Sequence, residues 1–558
     1  MKDLYHAHQR GAEQIWVINV ADIKPMELPF GFIMDYAFDP ASITFESIPQ
    51  YLELFAAREF GRQYAEEIAA VLMEHSRLIG RRKFESITPT TYSYFNYHEA
   101  DRVISEWEKL AAETERIASS LPAEYQASFF HLVGYPVGSG ANYHKVVLGQ
   151  GRNRQYAIER RNTANTLAQS VLQDFEVDFD YEEEYDKIAD GKWKGLLAQP
   201  RFDSGTSDSW KQSSRDVLMN LSYVQLRQNM DYEFGPLGIY AESSESAMWQ
   251  GLICASIDES APTRGGLAPV LPTLDRYGPQ TRTVEMFHRG DYRTPINWTI
   301  SNDYEWLKIV PTSGQVSHAQ SQQTIAVSVD WDSAPADVNN TMNVTIRWDA
   351  QPYFDFLQVS VRNARAPDTF HGFPQAADGI SIEGPHFQRQ QPVSNGSVAF
   401  ETVPYLGTRS NSGAIGLRPY AAAREPSFDP QSTYVEYDIF LFDASPGLNA
   451  TVYITPGLDT DPTLPMKYSL TLDGAATNYT RLLEEPEVAG DLPDGWEDEV
   501  ANAVWTRTVN LGPAQPGKHT LRWSVTSPEV YLEKLVLAVD AGVRDSYLGP
   551  PESQRTPA

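Results

Sequence analysis

"RGAEQIWVINVADIKPMELPFGF", residues 10–32, decides how the rest of the chain is read. An apolar run, Ile15-Trp16-Val17-Ile18, ends in Asn19, Asp22 and Lys24 and is followed by two prolines. Residues 3–10 before it read as a short helix stopped at Gly11, and Phe30–Tyr36 after it can open another. Helix, strand, polar loop and helix is the grammar of a parallel α/β sheet, so Ile15–Val20 is expected as a strand buried on both faces. A parallel strand is stable only beside neighbours, and residues 44–195 offer none. The expectation is therefore that its partners lie upstream of Met1 or in another chain, and that this is the C-terminal part of a larger protein.

Working outward, residues 44–195 read almost entirely as helix. "YLELFAAREFGRQYAEEIAAVLMEHSRLI" and "YHEADRVISEWEKLAAETERIASSLP" carry apolar residues at three- and four-residue spacing with charges between. "GANYHKVVLGQGRNRQYAIERRNTANTLAQSVLQDFEVDFD" reads as two helices broken near Gly149-Gln150-Gly151. Residues 196–262, rich in Ser, Asp and Gly, read as an irregular connector. From 263 to 364, short alternating stretches such as "INWTIS", "QTIAVSVDW" and "MNVTIRW" predict a β-sandwich. From 365 to 558, "GISIEG", "YVEYDIFLF", "KHTLRWSV" and "LEKLVLAV" predict a second one with a Pro-rich tail. The fold class expected is multidomain α+β: residues 1–43 as the remnant of a (β/α)8 barrel, a helical bundle over 44–195, then two β-sandwich domains.

With 558 residues one core is too few, and a formal charge of −29 repels polyanions, which argues against nucleic acid as a partner. No apolar run is long enough to span a bilayer, and MKDLYHAHQRG lacks a signal-peptide core, so no membrane role is expected. The lone cysteine, Cys254, can form no intrachain disulfide, which leans intracellular. Against this stand seven N-x-S/T sequons, at Asn220, Asn297, Asn339, Asn343, Asn395, Asn449 and Asn478, and six of them lie beyond residue 290. Their clustering in the β half points to a secreted protein whose targeting signal is not in this chain.

Asn19, Asp22 and Lys24 are the leading local candidates, because working groups of α/β barrels sit on the loops after strands. An amide, a carboxylate and an ammonium can grip sugar hydroxyls and a uronate. Equally, Asp22 can cap the next helix and Lys24 can pair with Glu27 on the surface. The acidic run from Asp174 to Asp186 lacks the glycine and register of a calcium loop and reads as a solvated face. His98, His131 and His144 have no metal-ligand spacing, so no metal site is expected. "GYPVGSG" reads as a helix-to-helix turn rather than a phosphate loop. Trp193, in "GKWKG", can stack on a sugar ring or pack at a domain end. Nothing nominates the carboxyl pair that glycoside hydrolysis needs.

At this point the residues resemble glycoside hydrolase family 115. "QIWVINVADIKPMELPFGFIMDYAFDP" resembles the segment around that family's last barrel strand, with Ala21 where the family usually has Gly. "FFHLVGYPV", "NRQYAIERRNTANTLAQSVLQDFEVD" and "DGKWKGLLAQ" resemble its helical domain, and "DSYLGPPES" its C-terminal signature. "INWTISNDYEWLKIVPTSGQVS" is similar to a BACON-type module, and "GISIEGPHF" to the opening of family 35 carbohydrate-binding modules. The resemblance implies an inverting α-glucuronidase without a cofactor, releasing α-1,2-linked (4-O-methyl)glucuronic acid from xylan. It implies glucuronoxylan or a related acidic polysaccharide as partner, admits a homodimer, and places Asn19, Asp22 and Lys24 near the sugar. No catalytic residue is identifiable in this chain, since a whole barrel takes about 250 residues. The alternative is a non-catalytic carbohydrate-binding or assembly protein.

Overall fold

The computed structural model describes residues 1–557 apart from 21–22, 199–215, 228–235, 244–268, 350–354, 394–395, 426–428, 458, 460, 485–490 and 540–542. It combines a helical unit with four sheets. Helices α1 (Lys2–Gln9) and α2 (Glu27–Phe38) precede a packed set. That set comprises α3 (Ile48–Phe60), α4 (Ala65–Ile79), α5 (Glu99–Ser120), α6 (Ala123–Phe129), α7 (Tyr135–Ile158) and α8 (Thr163–Gly191). The three- and four-residue apolar spacing puts Phe55, Ile68, Val103, Trp107, Val146 and Val171 into one shared core.

Two glycine-bearing stretches differ from expectation for one reason. The backbone stays helical through Gly149–Gly151, and the break comes at Glu159–Asn162. A Cβ on Gly151 would lie 2.0 Å from the Pro89 carbonyl, so this glycine serves close approach and not a turn. "GYPVGSG" likewise runs through a π-turn (Phe130–Gly134) into α7, and a Cβ on Gly140 would meet Trp107 at 2.7 Å. The true break holds the next unit: the Asn162 N–H donates to the His288 carbonyl at 2.8 Å, and Asn162 Nδ2 to that of Gly290 at 3.1 Å.

Nine strands form the first two-sheet unit. They are β1 (Leu237–Ala241), β2 (Val270–Asp275), β3 (Thr281–His288), β4 (Ile296–Ser301), β5 (Leu307–Val310), β6 (Ser313–Val316), β7 (Gln322–Val329), β8 (Asn339–Trp348) and β9 (Asp355–Arg362). Sheet orders β1-β3-β7-β5 and β2-β9-β8-β4-β6 enclose one core, with β4 alternating buried and exposed along its length. Strand β1 falls inside the stretch read as connector. Five residues, LGIYA, carry little periodicity, and it is pairing with β3 that makes them a strand.

The second two-sheet unit spans residues 373–538, again with one core between its sheets. Its central strand, Leu532–Ala538, has both faces covered, so Glu533 and Lys534 are buried beside the apolar residues. Helix α1 docks here: the His6 ring stacks between Tyr420 and Tyr531 at 5.3 and 5.7 Å, and Arg10 Nε donates to Glu529 at 2.7 Å.

The stretch Ile15–Val20, expected to find its strand partners outside this chain, is not a strand here. It forms no ladder among the described residues, and Ile15 and Val17 are 80% and 90% exposed. An extended backbone has no internal hydrogen bonds, so without a paired neighbour apolar sequence alone does not make a strand. Trp16 alone turns inward, stacking on Tyr36 at 5.9 Å. No described helix is long and apolar enough to cross a membrane.

Candidate functional site

Of the three expected rim residues, Asp22 lies outside the described residues, Asn19 is exposed, and Lys24 is half-buried. A turn closed by Met26 N–H to the Ile23 carbonyl (2.8 Å) delivers Lys24 to the start of α2, where its ammonium pairs with Glu27. The same Glu27 oxygen receives His131 Nε2 at 2.9 Å from the π-turn. Lys24 Nζ also sits 4.9 Å from the Trp193 ring centre, which Lys192 approaches at 4.7 Å. Behind them His131 stacks on Tyr185 at 5.2 Å.

Burial pushes the Glu27 carboxyl up, but the Lys24 hydrogen bond and the neighbouring His131 outweigh it and hold it below its ordinary range. Burial dominates at His131 and lowers it, so the ring is neutral at neutral pH and Glu27 is the charged partner. The second Glu27 oxygen is buried without a hydrogen-bond partner. The result is a cation over an indole beside a carboxylate with one buried oxygen lacking a hydrogen-bond partner. Lys24 is brought to Glu27, His131 and Trp193, whose sequence separations left no local signal beyond the Lys24–Glu27 spacing.

A polar cleft lined by His98, Asp101, Arg152, Glu242 and Glu285 lies where α5 and α7 meet the edge of the first two-sheet unit. Tyr97 and His98 both adopt left-handed backbone (φ 58° and 48°), and His98 Nε2 lies 3.1 Å from Glu242 Oε2. Glu242 is buried and also receives Arg282 Nη1 at 2.9 Å and the Thr283 N–H at 2.8 Å. Burial opposes its charge, yet the His98 bond and the Arg282 guanidinium bring it down to about 2. Asp101 pairs with Arg152, and Glu285 with Arg161 at 2.5 Å. Ion pairing favours the carboxylate form, which is the opposite of what a glycosidic acid requires.

Among the described residues, Glu383, His386 and Glu552 stand close enough together to hold a metal. Their ligand atoms are occupied instead. Glu383 accepts from Ser410 Oγ (3.1 Å) and from the Asn411 and Ser412 N–H groups (3.0 and 2.9 Å), while His386 Nδ1 lies 2.7 Å from Glu552. His144, its ring at 2.8 Å from the Gly140 carbonyl, is a core residue. The acidic run lies along α8, with Asp178 buried. Cys254 and Asn395 lie outside the described residues.

A model described as glycosyl hydrolase family 115 matches residues 1–86, and one for the family 115 C-terminal domain matches residues 372–552. A solved structure described as a family 115 4-O-methyl-α-glucuronidase with specificity for decorated arabinogalactans is 14% identical. Its alignment covers 97% of this chain and 48% of that one with a TM-score of 0.50, so this chain spans about half of that protein's length. Together these matches support glycoside hydrolase family 115 for this chain, and the structural likeness shows the shared fold. A family 35 carbohydrate-binding module from Paenibacillus barcinonensis is 13% identical, covering 29% of this chain and all of that one, with a TM-score of 0.19. No curated protein matches the sequence.

Proposed function

We propose that this chain serves a glycoside hydrolase that acts on a glucuronate-bearing polysaccharide, glucuronoxylan or a related acidic glycan. The observation that carries the reading is the pair of family matches at residues 1–86 and 372–552, in family order on one chain. The related structure's preference for decorated arabinogalactans makes that polymer the second substrate to try. In this reading residues 1–43 flank the sugar site, Asn19, Asp22 and Lys24 face the uronate, and the protein works outside the cell, with a homodimer as its assembly. The acid and base are not assigned.

A second reading, a non-catalytic carbohydrate-binding or assembly protein, draws on one observation: the carboxylates of the polar cleft are all ion-paired. Incubation with glucuronoxylan, unsubstituted xylan and decorated arabinogalactan separates the two. Uronic acid release from a substituted polymer supports the hydrolase; selective sedimentation without release supports the second reading. Neither binding nor release overturns both. In an active preparation, Lys24→Ala removes a charge-assisted contact of roughly 1.5–3 kcal/mol, so kcat/KM falls at least about tenfold. Unchanged kinetics would remove Lys24 from the site.

A further inference from the structure

The stretch Arg544–Ser553 has no helix or strand of its own, yet its backbone is taken up almost group by group. Glu99, at the start of α5, accepts the Leu548 N–H at 2.6 Å and the Tyr547 N–H at 3.1 Å. Lys534, on the central strand of the second two-sheet unit, donates to the Leu548 carbonyl at 3.2 Å and to that of Pro550 at 3.1 Å. The Leu548 side chain completes the helical core. Tyr547 lies under Arg409 from the second two-sheet unit (4.1 Å) and Arg82 from the helical unit (5.2 Å). Arg544 reaches the Ser243 carbonyl of the first two-sheet unit at 3.2 Å.

We propose that residues 544–553 form an internal latch that locks the second two-sheet unit onto the helical unit, with the Leu548 backbone gripped at its N–H by Glu99 and at its carbonyl by Lys534. The inference stands apart from the carbohydrate reading. Glu99 and Lys534 are both buried, and a buried charge is tolerated only where hydrogen bonds fill its capacity. Burial pushes the Glu99 carboxyl up and Lys534 down to about 8, so neither charge is at ease without its partners. With the segment withdrawn, Glu99 keeps the Ser93 N–H (2.7 Å) and loses two donors, while Lys534 loses both carbonyls. A half-engaged latch therefore exposes two unsatisfied groups on different units, which favours engaged or released over anything between.

The test compares the full chain with one ending at residue 543, by small-angle scattering and calorimetry, with and without a synthetic peptide of residues 544–553. The latch predicts that the shortened chain expands and unfolds in separated transitions, and that the peptide binds saturably and restores the single compact form. Unchanged scattering and a single transition without residues 544–558 overturn it, as does failure of the peptide to bind. Should the shortened chain not fold, Glu99→Gln, Lys534→Met and their combination in the full chain decide. Grips on the two sides of one residue give a combined Tm loss smaller than the sum of the two single losses. Strictly additive losses overturn the latch.

Discussion

Two segments of this molecule without helix or strand, residues 13–20 and 544–553, have opposite fates, and the more apolar of the two is the exposed one. In the first, Ile15 and Val17 stand in solvent and no ladder forms. In the second, Leu548 is buried and its backbone N–H and carbonyl are each held by a charged group. The difference teaches that an extended segment has no stability of its own. Its order is set by the donors and acceptors that surrounding elements bring to it, and hydrophobicity decides only which side chains gain once that frame exists.

The contrast can be broken most directly by truncating one apolar side chain in each segment. Leu548→Ala should cost about 2–5 kcal/mol in denaturant unfolding, through lost burial and a cavity in the helical core. Val17→Ala should stay within about 0.5 kcal/mol, as expected of an exposed position. Equal losses at the two sites would end the comparison.

Acid offers the next-largest effect, because the enclosed half also rests on buried ion pairs. Glu242 titrates at about 2 in the folded protein against 4.5 unfolded, so its stabilisation is complete above pH 4.5 and is lost as pH falls toward 2. That shift corresponds to on the order of 3 kcal/mol. Unfolding measured from pH 6 to pH 2 should show this acid limb, and Glu242→Gln should flatten it. A variant with the same pH slope as the parent would show that other carboxylates carry the effect.

Smaller still, Tyr547→Phe removes the hydroxyl that donates to the Arg81 carbonyl at 2.9 Å and the Asn502 carbonyl at 3.0 Å, while keeping the ring under Arg409. A loss of about 1 kcal/mol is expected in thermal unfolding. A loss as large as that of Leu548→Ala would mean that the hydroxyl, rather than the buried side chain and the peptide grip, holds the segment.

What was legible in the chain follows the same division. Three- and four-residue spacing located the helices, and two-residue alternation located "INWTIS" as a strand with every second residue buried. Such patterns are local because one face of each element meets a core. Gly149–Gly151 misled, since a glycine tolerated for close approach looks in sequence like one required for a turn. His98 against Glu242, 144 positions apart, left no trace at all. At the candidate site only the i,i+3 pairing of Lys24 with Glu27 could be anticipated; His131 and Trp193 arrive from distant elements.

By itself, then, the sequence determined the identity and order of most helices and strands, the acidic surface, and the likeness to a family of glycan-cleaving enzymes. Periodicity and composition act over a few residues and need no partner to be read. Only the tertiary structure decided that β1 joins a sheet, and that the Leu548 backbone is shared between two units. Hydrogen bonds between extended segments, and charges that tolerate burial, depend on groups far apart in the chain, and their meeting is a property of the packed molecule.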